Sequence, residues 1–393
     1  MSQYLLINRI KVQGANAVSG FTWGFPAITH FLGFTHNLTR KLEKHTDFSD
    51  IKLSGCAVIS HHHQVHTYGY NQFVQSKNPP YLKSHDKAAA PPVIEEGKMN
   101  MSVSLLIGCE GNIGNRAESL KQWLHGQCLR QRLAGGTILE IEGLDFFGID
   151  DGQNIKNLRI LIRNLLPGFI LQDRSAYLED RIEQLQQENE GTELFDAWLD
   201  FIALKQKARP VSEHISLHLV QQTGLYPEDE AYRQLLSVWQ EHLENAYEQT
   251  MIPEALKSYF GSMPGNNANK KLLAQWKDYC APNKKTAADW NYIPKPKQGF
   301  LVPVMVGYKA ISNVYKNKEV ANTRDDETDV CFVEAVHSVG EWQGVHRIKD
   351  EEALKQSLWQ YDYQKHWYLC KQISSESRQR DSEIYHEDPD NFS

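Results

Sequence analysis

An α+β chain whose first 150 residues form a β-α-β-β-α-β unit is what this sequence predicts, and three observations carry that expectation. Before residue 150, four β-favouring runs are interleaved with two helix-spaced runs. From about 155 to 290, apolar residues recur at helical spacing among glutamine and glutamate. A strand-like and a helix-like stretch then close the chain, so the two element types are partly segregated.

Residues 4–12 (YLLINRIKV) have strand character, with Leu6 and Ile10 among β-favouring neighbours. Gly20, Gly24 and Pro26 make a turn whose proline stands near a helix start. Ile28, Phe31, Leu32 and Leu38 then give helical spacing up to about Lys44. Residues 53–61 (LSGCAVISH) read as a second strand, and 98–107 (KMNMSVSLLI) alternate as a third. Between them, 62–97 is a polar, turn-rich insertion with paired prolines at 79–80 and 91–92. Asn115 is placed to cap a helix carrying Ala117, Leu120, Leu124 and Cys128 on one face. Residues 137–141 (TILEI) supply the fourth strand. This order is the ferredoxin-like split motif, which also underlies RNA-recognition folds.

Residues 151–298 read as a mainly helical insertion. Leu178, Ile182 and Leu185 repeat at helical spacing, as do Leu194, Trp198 and Ile202, then Leu235, Trp239 and Leu243. Within it, 264–297 looks like a basic, loop-rich connector ending in Pro294 and Pro296. A strand at 300–306 and a helix at 351–359 define a small C-terminal strand/helix region over 299–372. The polar residues 373–393 are expected to form a disordered acidic tail.

The chain has 393 residues, 41% of them hydrophobic and 23% charged, enough apolar material for two or three folded units. No apolar run approaches the ~20 residues of a membrane span. No charged start followed by an apolar stretch marks a signal peptide, so a soluble, cytoplasmic protein is expected. The six cysteines form no C-x-x-C pair and are expected to be reduced. The net charge of −7 hides an asymmetry: residues 171–250 hold sixteen acids and six bases, and 374–393 hold six acids and two bases. The remainder is therefore basic, which is where phosphate would be attracted.

Catalytic signals are weak. No phosphate loop, G-x-S-x-G elbow, H-E-x-x-H pair or G-x-G-x-x-G fingerprint occurs. The triplet His61, His62, His63, with His66 nearby, lacks the further ligands a zinc site needs, so neither metal nor cofactor is expected. On an alternating strand His61 and His63 would share a side. With Tyr68 they are the suspects if the chain cleaves RNA. Asp325, Asp326 and Glu327 read as a solvated turn.

Binding signals are better. Arg132 precedes Gly135 and Gly136, which either open the backbone to phosphate or cap a helix. Lys156, Arg159 and Arg163 fall on one helical stripe, a phosphate track or an ordinary wet face. Lys77, Lys83 and Lys87 in the insertion either grip a backbone or keep a loop soluble. Asn16, Ser19 and Trp23 form a glycine-rich loop able to offer amides and an indole to nucleotides, although Trp23 equally suits a core.

Taken in order, several segments resemble one family. They are 14–19 (GANAVS) with 22–26 (TWGFP), 93–97 (VIEEG) before 102–108, 132–138 (RLAGGTI) and 165–169 (LLPGF). Further on come 301–303 (LVP) with Gly307 and Tyr308, then 324–328 (RDDET), 332–334 (FVE), and 340–342 (GEW) with His346 and Arg347. In this joint order they resemble the Csy2 family, the Cas5-type subunit of the type I-F CRISPR surveillance (Csy) complex. The resemblance spans about residues 5 to 360, whereas 175–290 look longer and more acidic than the family pattern and 374–393 look extra.

The resemblance implies a non-catalytic, RNA-binding protein with an RNA-recognition-like fold, a thumb-like projection and a helical insertion. It implies pairing with the large Csy subunit, contact of the thumb with the adjacent backbone subunit, and a grip on the 5′ handle of the crRNA. Target DNA would be met through the complex. By position, Arg132, Gly135 and Gly136 resemble the family's glycine-rich loop beside the RNA, Arg347 joins the RNA-binding set, and 62–97 takes the place of the thumb. Crossing this, two alternatives remain: a repeat-RNA endonuclease using His61 and His63, and a free-standing adaptor without RNA.

Overall fold

Strand β1 (Ser2–Asn16) organises the molecule, because its alternate side chains feed two different cores. The computed structural model describes residues 2–69, 72–77, 79–89, 93–149, 155–244, 251–323, 325 and 327–372. The expected acidic tail at 373–393, Arg324 and Asp326 lie outside the described residues. β1 is joined by β2 (Lys52–Val65), β3 (Lys98–Glu110), β4 (Arg132–Leu133), β5 (Gly136–Ile149) and β6 (Phe169–Asp173). The sheet is completed by β7 (Leu301–Ala310), β8 (Val333–Gly344), β9 (Trp359–Gln364) and β10 (Trp367–Gln372). The strand order is β4-β5-β1-β3-β2-β6-β8-β7-β10-β9, with neighbours antiparallel.

Helices α1 (Ile28–Leu42) and α2 (Ala117–Leu129) cover one face. Phe31 and Leu38 of α1 and Leu120 and Leu124 of α2 bury against Leu5, Ile7 and Ile10. The other residues of β1, Tyr4 and Leu6, point into a second core with Leu158, Leu161 and Leu165 of α3 (Ile155–Leu165). Leu354 of the short helix Glu351–Gln356 belongs to that same core. Each such leucine contributes about 1.5–3 kcal/mol of burial, so β1 is held firmly from both sides. This is a mixed α+β arrangement.

The sheet also returns on itself. β2 carries a bulge where its register passes from Ser54 opposite Gly108 to Ala57 opposite Leu106. Gly55 sits in that bulge at φ +65°, and a Cβ there would stand 3.2 Å from Leu358 Cβ and 3.3 Å from Trp359 O. Glycine therefore lets the start of β9 reach β2, and Trp359 pairs with Cys56. The Trp359 indole is fully buried and its Nε1–H donates to Leu171 O at 3.1 Å.

The chain divides into two compact units, Met1–Trp198 with Gly299–Ser393, and Leu199–Gln298. In the first, α4 (Ala176–Glu188) follows β6, and α5 (Leu194–Ile202) leads into the second. In the second, α6 (Glu213–Leu225), α7 (Glu230–Glu244), α8 (Glu254–Gly261) and α9 (Lys270–Cys280) gather around Ile215, Leu219, Trp239, Leu256, Phe260, Leu272 and Trp276. A two-stranded ribbon, Gln206–Pro210 with Ala288–Tyr292, completes it.

Several expectations need correction. The basic stretch 264–297 is not a loop throughout: Leu272, Trp276 and Tyr279 build α9, whose periodicity its polar flanks conceal. Asn115 does not cap α2; it lies inside the short turn Gly114–Arg116, and no side-chain oxygen caps that helix. The helix expected at 351–359 stops at Gln356, because Trp359 is drawn into the sheet. β2 continues through Val65, so the histidines belong to a strand rather than to the start of a loop.

Candidate nucleic-acid interface

Two predicted segments meet at the end of β1. β4 and β5 are joined by the two-residue turn Ala134-Gly135, with φ of +50° and +78° and Leu133 paired to Gly136. Both residues are left-handed, as primed hairpin turns require. The glycine thus serves a hairpin, not the helix cap that was the alternative. Arg132 donates from Nη1 to Gly135 O at 3.3 Å across the turn. The Asn16 backbone N–H donates to Ala134 O at 2.8 Å and fixes β1 to it.

The Asn16 side chain is held at both ends. Its Oδ1 accepts from Lys98 Nζ at 3.1 Å, and its Nδ2 lies 3.5 Å from His30 Nε2. His30 Nδ1 is 3.3 Å from Ala27 O, and burial lowers its pKa, so a neutral ring donates to Ala27 and accepts from Asn16. Beside this network lies a cleft of about 440 Å³, lined by His30, Asn37, Lys41, Arg130, Arg132 and Gly135 among others. Its lining includes three cations and no carboxylate. His30 and Lys41 were missed because only the apolar stripe of α1 was followed; Thr29, Gly33, Asn37 and Lys41 recur every four residues on its other side. Lys98 at the start of β3 and Arg130 just past α2 carry no local signal that joins them to Asn16 or the cleft.

The remaining candidates lie elsewhere or inside. Gly136 is buried, and a Cβ there would meet Gln13 O and Ala15 N at 2.7 Å. Ser19 is buried with its hydroxyl donating to Phe25 O, and His337 Nε2 lies 3.1 Å from Ser19 O. Trp23 is half exposed and packs edge-on against Phe73, bracing the loop against the insertion. Lys156, Arg159 and Arg163 are exposed on α3, opposite its buried leucines. Arg347 is exposed on the single turn Val345–Arg347, which packs beside α3. α3 covers β1 near Tyr4 and Leu6, on the opposite face and roughly 30 Å of strand away from Asn16. The structure does not bring the two basic groups together.

The 62–97 insertion grows out of β2 and β3 as an antiparallel arm. Gln75–Lys77 pairs with Val93–Glu95, and Tyr81–Ser84 pairs with Lys87–Ala89. Lys83 and Lys87 are exposed near its end, with Tyr81 and Leu82 beside them; the Lys77 side chain lies outside the described residues.

The histidines differ in their surroundings. His61 is the extra residue of a second β2 bulge, between Ser60 opposite Val103 and His62 opposite Ser102, so strict alternation with His63 is broken. His61 Nδ1 lies 2.7 Å from Pro167 O and Nε2 2.7 Å from Ser104 Oγ, which engages both ring nitrogens. Ser104 is fully buried and also accepts from the Arg9 N–H at 2.8 Å. Desolvation lowers the His61 pKa. His62 and His63 are exposed, and among the described residues no three His, Cys, Asp or Glu side chains are grouped to hold a metal.

A family model described as CRISPR-associated protein (Cas_Csy2) matches residues 5–223 and 249–370. The chain belongs to the Csy2 family. It is also similar to the CRISPR-associated protein Csy2 of Pseudomonas aeruginosa (strain UCBPP-PA14), with 29% identity over 372 residues and 90% of each chain covered. The Csy2 match takes in the arm, the cleft, α3 and the Val345–Arg347 turn, and it omits 224–248. Among the described residues no helix is long and apolar enough to cross a membrane.

Proposed function

We propose that this chain is a non-catalytic, crRNA-binding subunit of a type I-F CRISPR surveillance complex in the cytoplasm, and that its cleft grips the 5′ handle. The observation that carries the reading is the cleft itself: Lys41, Arg130 and Arg132 face a fixed turn without any carboxylate among them. Phosphates give such a site affinity, and Asn16, pinned by Lys98 and His30, gives it register. Gly136 supports that site from within, and Ser19 orders the loop that follows Asn16. The order β5-β1-β3-β2, with α1 and α2 on one face, supports reading 1–150 as a ferredoxin-like, RNA-recognition-like domain. Its open face is covered by α3, which favours RNA at the sheet's end over bases stacked on its surface.

Three further assignments complete the proposal. The arm acts as the thumb against the adjacent backbone subunit, with Lys77, Lys83 and Lys87 as contacts. Lys156, Arg159, Arg163 and Arg347 form a second RNA track. The chain pairs with the large Csy subunit as a heterodimer capping the filament, and reaches target DNA only through that assembly.

The test is binding of purified protein, alone and with the large subunit, to a crRNA and to the same RNA with a scrambled handle. Handle-dependent binding that weakens steeply with salt, without RNA scission in magnesium or manganese, is the expected result. Specific cuts that disappear in His61→Ala would overturn it in favour of the endonuclease. Failure to bind RNA or to co-purify with the large subunit would leave a free-standing adaptor.

A further inference from the structure

The basic stretch 270–297 is not used by the cleft, yet it carries seven lysines against two aspartates. Within the second unit it forms α9, a tight turn and one strand of the ribbon. In the turn, the Lys285 N–H donates to Asn283 Oδ1 and the Asn283 N–H to Thr286 Oγ1, leaving Lys284 and Lys285 exposed at the ribbon's start. Lys295 and Lys297 follow its other end.

The ribbon has two unlike faces. Residues directly opposite one another in an antiparallel pair share a side. Arg209 stands opposite Asp289 and is 3% exposed; its Nη1 donates to His242 O at 3.2 Å and Leu243 O at 2.5 Å. That face is fastened to α7. On the other face Trp290 stands opposite Ala208 and Tyr292 opposite Gln206. Trp290 is 67% and Tyr292 64% exposed, with only small or polar neighbours across the ribbon. Nothing in the core requires two large aromatic rings there.

We propose that this outer face of the ribbon is a further nucleic-acid site, taking an unpaired strand. Trp290 and Tyr292 are two residues apart on one strand, so their rings stand side by side roughly 7 Å apart along it. Successive bases stack on such a pair, and the exposed Lys284 and Lys285 neutralise the phosphates at the ribbon's start. Exposed aromatics framed by lysines suit a polyanion with π-faces better than a protein surface, where lysine is depleted. The site is separate from the handle cleft and does not depend on that reading.

The test uses the full chain and fluorescent 12-mers of oligo-dT and oligo-U, which separate a DNA source from an RNA source. Trp290→Ala/Tyr292→Ala should weaken binding at least tenfold while the salt dependence keeps its slope. Lys284→Ala/Lys285→Ala should lower that slope instead. Arg132→Ala serves as the reference for the cleft: if it abolishes oligonucleotide binding while the aromatic pair changes it less than twofold, the proposal fails. Ultraviolet cross-links confined to the peptide around Arg132 would also overturn it. So would an aromatic variant that binds both oligonucleotides normally but no longer co-purifies with another Csy subunit, since the face would then be a protein interface. Melting curves matching wild type keep loss of folding out of the comparison.

Discussion

Asn16 occupies the space that a side chain on Gly135 would enter. An ideal Cβ on Gly135 would lie 3.1 Å from Asn16 Oδ1 and 3.2 Å from Nδ2, and the glycine is already at φ +78°. The turn and the amide are therefore one device. Lys98 and His30 keep Asn16 in place, and the turn's shape keeps Gly135 out of its way.

Gly135→Ala should cost about 1–2 kcal/mol of stability from the left-handed backbone alone. It should also push Asn16 off Lys98 and weaken handle binding by roughly tenfold, the worth of one charge-assisted hydrogen bond. Adding Asn16→Ala should remove the clash, so the second substitution costs less stability in that background. A double-mutant cycle read by denaturation and RNA binding checks both effects. Equal, additive costs would mean that the two residues act separately.

How much of this was legible in the residues depends on the range of the interaction. β1, β2, β3 and β5 and the helices α1 and α2 were readable because alternation and helical spacing are local. Asn16 and Arg132 were legible as candidates, but the meeting of Asn16 with the turn after Arg132 was not, since its N–H reaches Ala134 O, 118 residues on in the chain. β6 escaped notice because Phe169–Asp173 looks like the tail of a helix boundary; only β2 and β8 on either side make it a strand. The bulge at His61 was invisible for the same reason, and with it the engagement of that ring by Ser104 and Pro167.

Burial lowers the pKa values of His30, His61, His218 and His242 below the ordinary 6.5. Unfolded, these rings take a proton near 6.5; folded, they resist until lower pH. The unfolded chain therefore binds more protons in that window, and stability rises with pH through it. Melting temperatures should be level above about pH 7 and fall as pH drops through 6.5 toward 5.5. Asp173, whose carboxyl burial pushes upward from 3.8, acts in the opposite sense toward the acid end. His61→Gln should shrink the drop, and an unchanged pH profile in that variant would show that His61 does not contribute.

Trp359 closes the sheet onto β2, so its loss should be felt far from any RNA. Trp359→Ala removes a fully buried indole and is expected to cost about 3–5 kcal/mol. Trp359→Phe keeps most of the volume and removes one of two donors to Leu171 O, since Gln372 Nε2 still donates to it at 2.9 Å, for about 0.5–1.5 kcal/mol. Denaturant unfolding followed by tryptophan fluorescence and circular dichroism measures both. If the Phe variant matches wild type, the hydrogen bond is not what holds the closure.

The two basic groups can be told apart by the length of RNA they need. Arg130 and Arg132 sit at the Asn16 end of β1, while Lys156, Arg159, Arg163 and Arg347 gather on the other face near its start. A short handle oligonucleotide fits only one of them, whereas a full crRNA has the reach to meet both. Arg130→Ala/Arg132→Ala should weaken the short handle and the full crRNA alike, lowering the salt slope by about 0.7 for each phosphate no longer neutralised. Lys156→Ala/Arg159→Ala/Arg163→Ala should leave the handle unchanged and weaken only the full guide. Filter binding across a salt series distinguishes these outcomes. If the helix variant weakens the short handle while the cleft variant does not, the handle lies over α3 and the cleft must be given up as its site.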